Sequence, residues 1–417
     1  MSYLLVGALR AGWTDLPRLV RGEGIYVFGE DGERYVDATC GNFCAVLGHG
    51  VPEVARVVAE QLGQITMCGL PTRALDDLAA LVIDLSPPGF SHVHLTNSGS
   101  EAVEAALLLA RQVQRDRGFP DKTKFVSFAG SYHGSTLGAR SVTGVPFLRH
   151  VGGWCPMLAA ARFVGAPNAA NWQQRVGELE SLIAAEGPET IAALITEPLF
   201  DFGDPPLAFF DAVRDVCAHH QVLVIADEVK TGFGRTGRTF AVEAWRTMPD
   251  LLTFGKAVSA GLTPLAGLVV SAGIFDTLRS CSGSFVAGHT TAGNPLSCAT
   301  TSAVLRHARD LGLYARVATL GPEMRALLTR MAAQHPSVVG FHGEGLLWYL
   351  RVAVPSDTWA DRYLGLFRLA LDVGLLTLPL VSADSVTLCL APPYTATESE
   401  LADLEQALDR LFTRLEQ

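Results

Sequence analysis

The chain contains 417 residues, of which 49% are hydrophobic and 18% are charged, and its net charge is −10. This composition excludes a disordered chain and offers no positive field for nucleic acid or an anionic membrane surface. Since no apolar run reaches the roughly 18 residues that span a bilayer and the amino terminus lacks a signal-peptide pattern, we expect a cytoplasmic protein that binds neither nucleic acid nor membrane.

The first predicted elements are two strands in GIYVFGEDGERYVD, joined by a turn at Asp31 and Gly32. From about residue 92 onward, short β-branched apolar runs alternate with amphipathic helices. This alternation is typical of a mostly parallel sheet that is covered on both faces, which is a doubly wound α/β domain. The predicted strands of this sheet are HVHLT, KFVSF, IAALIT, VLVIA, LLTF and GLVVS.

The composition changes after about residue 310 to helices separated by strands such as LLWYLRV and VTLCL. Thr397 and Glu400 predict a capping box at the start of the last helix. We therefore expect three parts: an N-terminal segment, residues 1–45, that packs with the small domain; a large α/β domain, 46–309; and a small α+β domain, 310–417.

The eight cysteines are scattered and lack the paired spacing of a zinc or redox site, so we expect reduced thiols and no metal. They occupy positions 40, 44, 68, 155, 217, 281, 298 and 389.

Residues that follow the predicted strands are the first candidates for a site, because ligands bind beyond the carboxyl ends of strands in open α/β sheets. HVHLT is followed by small residues, 97–100, at a predicted helix start. Their backbone N–H groups suit a phosphate, although Ser98 has an equally good reading as a simple helix cap. VLVIA is followed by Asp227, which by itself is also explained as a helix cap.

LLTF is followed by Lys256, the only charged residue between Leu251 and Phe275. Lysine is rarely held away from water unless its amine is used, and a desolvated amine is a nucleophile that forms Schiff bases. An amine, a carboxylate and a phosphate cradle together match the needs of pyridoxal 5′-phosphate, which requires a lysine for its aldehyde and an acid for its ring nitrogen. Walker A, dinucleotide-binding, nucleophile-elbow and zinc-helix motifs are absent.

Motifs along nearly the whole chain resemble those of the class III (omega) aminotransferases, which are fold-type I pyridoxal-phosphate enzymes. The interval between the acid and the lysine, 256 − 227 = 29 residues, resembles the family spacing as well. The motifs, in chain order, are RGEGIYVFGEDGERYVD, LGHGVPEV, NSGSEAVEAALLLAR, SYHG, ITEP, IADEVKTGFGRTG, PDLLTFGKAVSAG, HTTAGNPL, GEGLLW and LAPPY.

The resemblance implies that Lys256 forms the Schiff base with the cofactor and that Asp227 pairs with the pyridine nitrogen. It implies equally that Ser98, Gly99 and Ser100 hold the phosphate. Lys256 would also carry the proton between substrate and cofactor during transfer of the amino group.

The remaining implied roles concern the ring and the second subunit. Tyr132 would stack on the ring, Val229 would pack against its other face, and Glu197 would orient the site. His133 would neighbour the ring, with a purely structural role as the alternative. Thr290 corresponds to a residue that reaches the phosphate of the neighbouring subunit, so the resemblance implies a homodimer with shared active sites.

Some positions depart from the family pattern. Cys389 stands where many members carry an arginine that clamps a substrate carboxylate, and cysteine cannot replace a guanidinium. Lys230 stands where relatives often have glutamine. Phe200 and Phe202 replace a Gly/Glu-rich stretch, and Arg162 is a candidate for another carboxylate contact.

The leading prediction is an aminotransferase that moves an amino group between a primary amine or amino acid and a carbonyl acceptor, in specialised metabolism derived from amino sugars or amino acids. An aminomutase or epimerase of the same family is the main alternative, followed by a decarboxylase and, more distantly, a non-catalytic binding protein. These reactions differ in which substrate bond is broken, and pocket groups outside the quoted motifs decide that.

Overall fold

The structure is a computed structural model that describes residues 16–67, 69–145, 158–354, 359–381 and 386–417. Cys68 and Cys155 lie outside these ranges, as does the start of the predicted N-terminal segment. The six described cysteines are free thiols. No helix within the described ranges is long and apolar enough to cross a membrane.

An antiparallel ribbon begins the described chain. Its strands are β1 (Leu19–Glu23), β2 (Tyr26–Gly29) and β3 (Arg34–Asp37). The hairpin at Asp31 and Gly32 lies between β2 and β3, as the sequence predicts, and Gly32 takes a φ of 86° that favours glycine. Strand β1 was not predicted, because its residues are almost all exposed and lack an apolar alternation.

A seven-stranded sheet forms the centre of the protein. It contains the six predicted strands and one short edge strand, β6. The strands are β4 (Phe90–Thr96), β5 (Lys124–Phe128), β6 (Ala161–Val164), β7 (Ile191–Thr196), β8 (Leu223–Asp227), β9 (Leu251–Phe254) and β10 (Ala266–Ser271). Their order is β4-β10-β9-β8-β7-β5-β6, and only β10 runs antiparallel to its neighbours.

Apolar side chains cover both faces of this sheet, which explains the nearly continuous hydrophobic runs in its strands. Leu194 and Val224 belong to one core cluster, whereas the residues that follow them, Ile195 and Ile225, belong to the other. The prediction of a large, mostly parallel α/β sheet is therefore confirmed.

Helices connect the strands and supply the covering layers. Up to the end of β10 they are α1 (Pro52–Leu62), α2 (Arg73–Asp84), α3 (Gly99–Asp116), α4 (Leu137–Val142), α5 (Trp172–Glu186) and α6 (Leu207–His219). They continue with α7 (Ala272–Ser280), α8 (Pro295–Asp310), α9 (Leu313–Gln334), α10 (Trp359–Asp372) and α11 (Glu398–Leu415).

The C-terminal region contains a separate four-stranded antiparallel sheet with the order β11-β12-β15-β14. The strands of this region are β11 (Val338–Glu344), β12 (Leu347–Val352), β13 (Leu375–Leu376), β14 (Leu378–Val381) and β15 (Val386–Leu390). The capping box at Thr397 and Glu400 is present at the start of α11.

The N-terminal ribbon contacts the C-terminal region through β13, which pairs in parallel with β3. Arg235 also joins distant segments, because its buried guanidinium donates to the carbonyls of Leu346, Pro392 and Phe43. These contacts give Arg235 a structural role between the N-terminal and C-terminal segments. The domain boundaries after residues 45 and 309 stay predictions.

Candidate active site

A cavity of about 140 Å³ lies beyond the carboxyl ends of β4, β5, β7, β8 and β9. Nine of the ten predicted site residues line it; only Thr290 does not. The lining residues are Ser98, Gly99, Ser100, Tyr132, His133, Gly134, Glu197, Asp227, Val229, Lys230 and Lys256.

One end of the cavity is the start of α3. Ser98 is the N-cap residue, and its Oγ accepts a 3.3 Å hydrogen bond from the backbone N–H of Glu101. The first N–H groups of a helix have no partner inside the helix and lie at the positive end of its dipole. A Cβ on Gly99 would lie 2.8 Å from Cγ1 of Val229, so glycine is needed for the close approach of these segments. This end therefore suits an anion such as phosphate.

Asp227, at the end of β8, places a buried carboxylate in the wall of the cavity. Its Oδ2 lies 2.8 Å from Nδ1 of His133, and its Oδ1 accepts hydrogen bonds from Thr253 Oγ1 at 2.9 Å and from the N–H of Val229 at 3.2 Å. Burial alone would raise the pKa of Asp227, but the contact with His133 and the hydrogen bonds hold that pKa below its usual value. The carboxylate is thus kept ionised, as a partner of a protonated ring nitrogen must be.

Lys256 follows β9 by two residues and begins a short 3₁₀ turn with a φ of 45°. This left-handed conformation is strained for a residue with a side chain, and such strain concentrates at functional sites. Burial lowers the pKa of its amine, and the positive charge of Lys230 lowers it further. Both effects increase the neutral, nucleophilic fraction of the amine.

A second buried amine, Lys230, lies in the same wall. Its Nζ is 2.6 Å from Oε1 of Glu197 and also contacts the carboxylate of Asp201. Burial raises the pKa of Glu197 to about 6. Burial would lower the pKa of Lys230, but the two carboxylates more than offset this and raise it well above its usual value.

The other predicted ring contacts lie at the same cavity. The backbone N–H of Tyr132 donates to Oε2 of Glu197 at 3.1 Å, and the Tyr132 hydroxyl lies 2.9 Å from Ser135 Oγ. Val229 lines the cavity together with Tyr132. Thr290 is exposed and lies in an irregular segment between α7 and α8. The individual roles of these residues stay proposals.

Arg162 was considered as a contact for a substrate carboxylate, and the structure places it elsewhere. It lies in edge strand β6, where its guanidinium binds Glu186 and donates to the carbonyls of Ala159 and Ala161. Glu186 is the last residue of α5, which precedes β7. This cluster therefore lies near the amino ends of the strands, whereas the cavity lies beyond their carboxyl ends. The hypothesis that Arg162 supplies the missing guanidinium is therefore wrong for this conformation.

Neither phenylalanine of the unusual segment lines the cavity. Phe200 is buried against Phe128, Phe209 and Phe210 in the core, and Phe202 is 37% exposed. Their position shortly after Glu197 in the chain suggests a place near the substrate, but neither residue is part of the lining.

Cys389 is fully buried in β15, where it pairs across the strands with Tyr349. Both belong to an apolar cluster with Phe43, Leu199, Leu347 and Ala391. The ring of Tyr349 lies 5.7 Å from the Nζ of Lys230, so this cluster adjoins the charged wall of the cavity.

The part of the site that the sequence reading missed is the pairing of Lys230 with Asp201. Lys230 was noted only as a departure from the family, and Asp201 was not singled out. The sequence did contain one signal for Lys230: it follows Asp227, the last residue of the buried strand β8, by three residues. Its carboxylate partners, 29 and 33 positions earlier in the chain, follow strand β7 and are brought close by the parallel pairing of β7 with β8.

The donor set fits pyridoxal 5′-phosphate. The helix start offers N–H groups for the phosphate, Asp227 offers an ionised acid for the ring nitrogen, and Lys256 offers an amine for the aldehyde. All three line one cavity, which is the arrangement on which the sequence prediction depends.

Comparisons with known proteins agree with this geometry. The model of the family "Aminotransferase class-III" matches residues 13–412. The uncharacterized aminotransferase YodT of Bacillus subtilis is 31% identical over 428 residues, which cover 97% of this chain and 96% of that protein. Gamma aminobutyrate transaminase 3 of Solanum lycopersicum is 31% identical, with 96% of this chain and 82% of that protein covered.

Solved structures give the same result. The (S)-enantioselective omega-transaminase from Thermomicrobium roseum superposes with a TM-score of 0.90 at 30% identity, covering 96% of this chain and 93% of that one. The omega-transaminase from Pseudomonas jessenii, solved in complex with PMP, gives a TM-score of 0.88 at 28% identity with the same coverage. The chain therefore belongs to the class III aminotransferases and is a pyridoxal-phosphate-dependent transaminase of fold type I.

Proposed function

We propose that this transaminase takes the amino group of a primary amine that carries no carboxylate and gives it to a carbonyl acceptor. The observation that carries the proposal is the joint presence of Lys256 and Asp227 in one cavity that no described arginine lines. The type of reaction follows from the family, and the substrate preference follows from the residues in the wall of the cavity.

The residues act at defined atoms. When bound, pyridoxal 5′-phosphate supplies an aldehyde that bonds to amines and a ring that accepts electrons. Lys256 Nζ, whose burial favours the neutral amine, would take the proton from the substrate carbon that carries the amino group and would hold it for return on the cofactor side of the cavity. The Asp227 carboxylate, oriented by His133 and Thr253, would stabilise a proton on the ring nitrogen.

The substrate preference follows from the charged wall and the apolar cluster beside it. Lys230 is already paired with two carboxylates, so its ammonium is not free to balance a substrate carboxylate. Cys389 and Tyr349 present little positive charge in the region where a guanidinium was expected. A substrate carboxylate would lose its hydration there without a charged partner, which costs about 1–3 kcal/mol or more.

Steady-state kinetics with two matched donors tests this preference. Butylamine and 4-aminobutyrate have the same chain length and differ in the terminal carboxylate. We expect kcat/KM for butylamine to exceed that for 4-aminobutyrate by about tenfold or more, since each 1.36 kcal/mol corresponds to a factor of ten. Equal values, or a preference for 4-aminobutyrate, would contradict the proposed substrate class.

The cofactor assignment is tested separately with Lys256→Ala. We expect this variant to lose turnover, and borohydride reduction followed by mass spectrometry should find the cofactor mass at position 256 only in the unsubstituted protein. Lys124→Ala is the control, because Lys124 pairs with Glu186 far from the cavity and its loss should leave turnover intact. Retained amino transfer by Lys256→Ala would refute the assignment.

The alternative reactions of the family give different products in the same assay. A transaminase without an acceptor converts its cofactor stoichiometrically to the pyridoxamine form. An epimerase exchanges the substrate proton with solvent and leaves the cofactor unchanged, and a decarboxylase releases carbon dioxide. Either of the latter outcomes would replace the proposed reaction.

We also propose a homodimer in which Thr290 completes the phosphate site of the partner subunit. Thr290 is exposed and does not line the cavity of its own chain, which supports a role across an interface. Co-expression of Thr290→Val with Lys256→Ala tests the sharing of sites. In each mixed dimer, one site would then contain both Lys256 and Thr290, so activity should exceed that of either variant alone.

No gain of activity in the mixed population, or a monomer in analytical ultracentrifugation, would contradict the shared site. A cytoplasmic location and a role in specialised metabolism are the accompanying proposals, supported by the composition and by the departures from the family pattern.

A further inference from the structure

The chain contains only four lysines, Lys122, Lys124, Lys230 and Lys256, and two of them line the same cavity. Lys256 is explained by the cofactor aldehyde. Lys230 is not needed for that bond, yet it is 7% exposed and therefore almost fully buried. A buried ammonium without a partner is costly, so its retention in the cavity wall requires a reason.

The ammonium of Lys230 is held in place by two carboxylates. Glu197 Oε1 lies 2.6 Å from Nζ, and the Asp201 carboxylate contacts Nζ as well. The aromatic ring of Tyr349 lies on a further side, 5.7 Å from Nζ. These contacts fix both the position and the charge of the amine, because an ammonium between two acids stays protonated.

We propose that Lys230 is a positioning residue whose fixed positive charge keeps the neighbouring Lys256 amine neutral and so available to bond with the cofactor aldehyde and to move protons. This inference rests on the role of Lys256 given above and extends it. A cation beside a catalytic lysine favours the neutral amine, since two like charges at short range repel.

The charges that face Lys256 have opposing effects. Burial and Lys230 lower its pKa, whereas the acidic side chains around it, two carboxyls and a thiol, raise the pKa. The groups that raise it are Cys44, Asp227 and Glu197. Without the ammonium of Lys230, the acids would dominate the electrostatic field at Lys256 and favour its protonated form.

A purely structural role would not need the charge. A neutral amide at position 230, which the family resemblance suggests for many relatives, could donate a hydrogen bond to Glu197 without an ammonium. Lysine adds a positive charge, and Asp201 adds the second carboxylate that holds it. The pair Lys230 and Asp201 therefore acts as a unit that holds a positive charge in the wall of the cavity that Lys256 also lines.

The test measures the protonation of Lys256 directly, without turnover. The full-length chain, freed of cofactor, is acetylated with trace acetic anhydride at a series of pH values, and the modification at each of the four lysines is quantified by mass spectrometry. Only a neutral amine reacts, so the midpoint for Lys256 reports its pKa. In the holoenzyme, the absorbance of the bound cofactor is titrated over the same range as a second readout.

Four variants separate charge from shape. Lys230→Gln removes the ammonium, and the double variant Lys230→Gln with Asp201→Asn also removes the carboxylate that would otherwise be left unpaired. We expect both to raise the Lys256 midpoint by about one pH unit, the size of shift that a nearby charge produces. Lys230→Arg and Asp201→Asn retain a cation held by Glu197, and we expect their midpoints to stay at or below the original value.

Unchanged midpoints in Lys230→Gln and in the double variant would overturn the inference, as would a rise of the same size in Asp201→Asn. If Lys230→Gln does not fold, as judged by circular dichroism, the double variant decides the outcome in the same way. Absence of cofactor at position 256 in the unsubstituted protein would instead refute the proposed function, so the two failures are distinguishable.

Discussion

The central sheet buries one lysine at the amino ends of its strands, here called the amino edge, and another at their carboxyl ends, the carboxyl edge. The two lysines are held by different chemistry. At the amino edge, Lys122 donates to three carbonyl oxygens, those of Pro188 at 2.8 Å, Ile191 at 3.1 Å and His220 at 2.9 Å. At the carboxyl edge, Lys230 is paired with the carboxylates of Glu197 and Asp201. One amine satisfies backbone groups, and the other balances ionised side chains beside a cavity.

This difference separates stability from function within one layer of the fold. The three acceptors around Lys122 are neutral backbone carbonyls, of which one belongs to the first residue of β7 and another to the residue after α6. The amine therefore connects β7 with the segment that follows α6. Burial lowers the pKa of Lys122, whereas the two acids raise the pKa of Lys230 well above its usual value. We infer that changes at the amino edge reduce stability and that changes at the carboxyl edge reduce turnover.

After the loss of turnover in Lys256→Ala, the largest expected effect is the fall in turnover in Asp227→Asn. An amide cannot hold the proton of the cofactor ring as an ionised acid does, and its orientation by His133 changes as well. We expect kcat to fall by about 10²- to 10³-fold, as for the loss of one preorganised electrostatic contact. The measurement is single-turnover formation of the pyridoxamine form with a saturating amine donor.

Asp250→Asn is the matched control at the opposite edge. Asp250 precedes β9, binds Arg214 at 2.6 and 3.1 Å, and accepts from the N–H of Val224 at 2.8 Å. Its loss should reduce the free energy of unfolding by about 1.5–3 kcal/mol, the range for hydrogen bonds to charged groups, and leave kcat unchanged. A comparable loss of kcat in both variants would show that the two edges do not divide their roles in this way.

The next effect is on stability in Lys122→Met. The substitution keeps an unbranched side chain of nearly the same length and removes the three hydrogen bonds, so the buried carbonyls lose their donor. We expect the free energy of unfolding to fall by about 2–4 kcal/mol, measured by urea denaturation, with kcat unchanged. Lys124→Met is the control; Lys124 is partly exposed and pairs with Glu186, so its loss should cost less than about 1 kcal/mol.

Six of the seven strands of the central sheet, all except β6, were predictable because each is a local run of apolar residues with a turn or helix signal on both sides. The same holds for the strand-end positions of Asp227 and Lys256. Strands β1 and β13 were missed, since the first is exposed and the second contains only two residues, Leu375 and Leu376. Their pairing depends on distant partners and leaves no local pattern.

The contacts within the site depend on tertiary structure in the same way. His133 and Asp227 are 94 positions apart, and nothing in either segment encodes their distance. Lys230 was visible as a departure from the family, but its meaning depends on Asp201, which follows a different strand. Arg162 was misplaced for the same reason, because the chain around it gives no sign of which edge of the sheet the guanidinium reaches.

The smallest expected effect is a pH-dependent change in stability at the cluster of Glu186, Arg162 and Lys124 at the amino edge. Hydrogen bonds from Arg162 and Lys124 lower the pKa of Glu186 from 4.5 to about 2. A carboxylate whose pKa is lower in the folded protein stabilises the fold above the unfolded pKa, and this contribution is lost as the pH falls from 4.5 toward 2. Glu186→Gln should therefore lower the melting temperature slightly at neutral pH and flatten its acid dependence in that window.

Arg162→Ala completes this comparison, because it removes the principal partner of Glu186 and tests the rejected substrate contact at once. It should reproduce the flattened acid dependence in part, since Lys124 still pairs with Glu186. The KM values for butylamine and 4-aminobutyrate should both stay unchanged, because the guanidinium lies at the edge of the sheet opposite the cavity. A rise in KM for 4-aminobutyrate alone would return Arg162 to the substrate site and remove the division between the two edges.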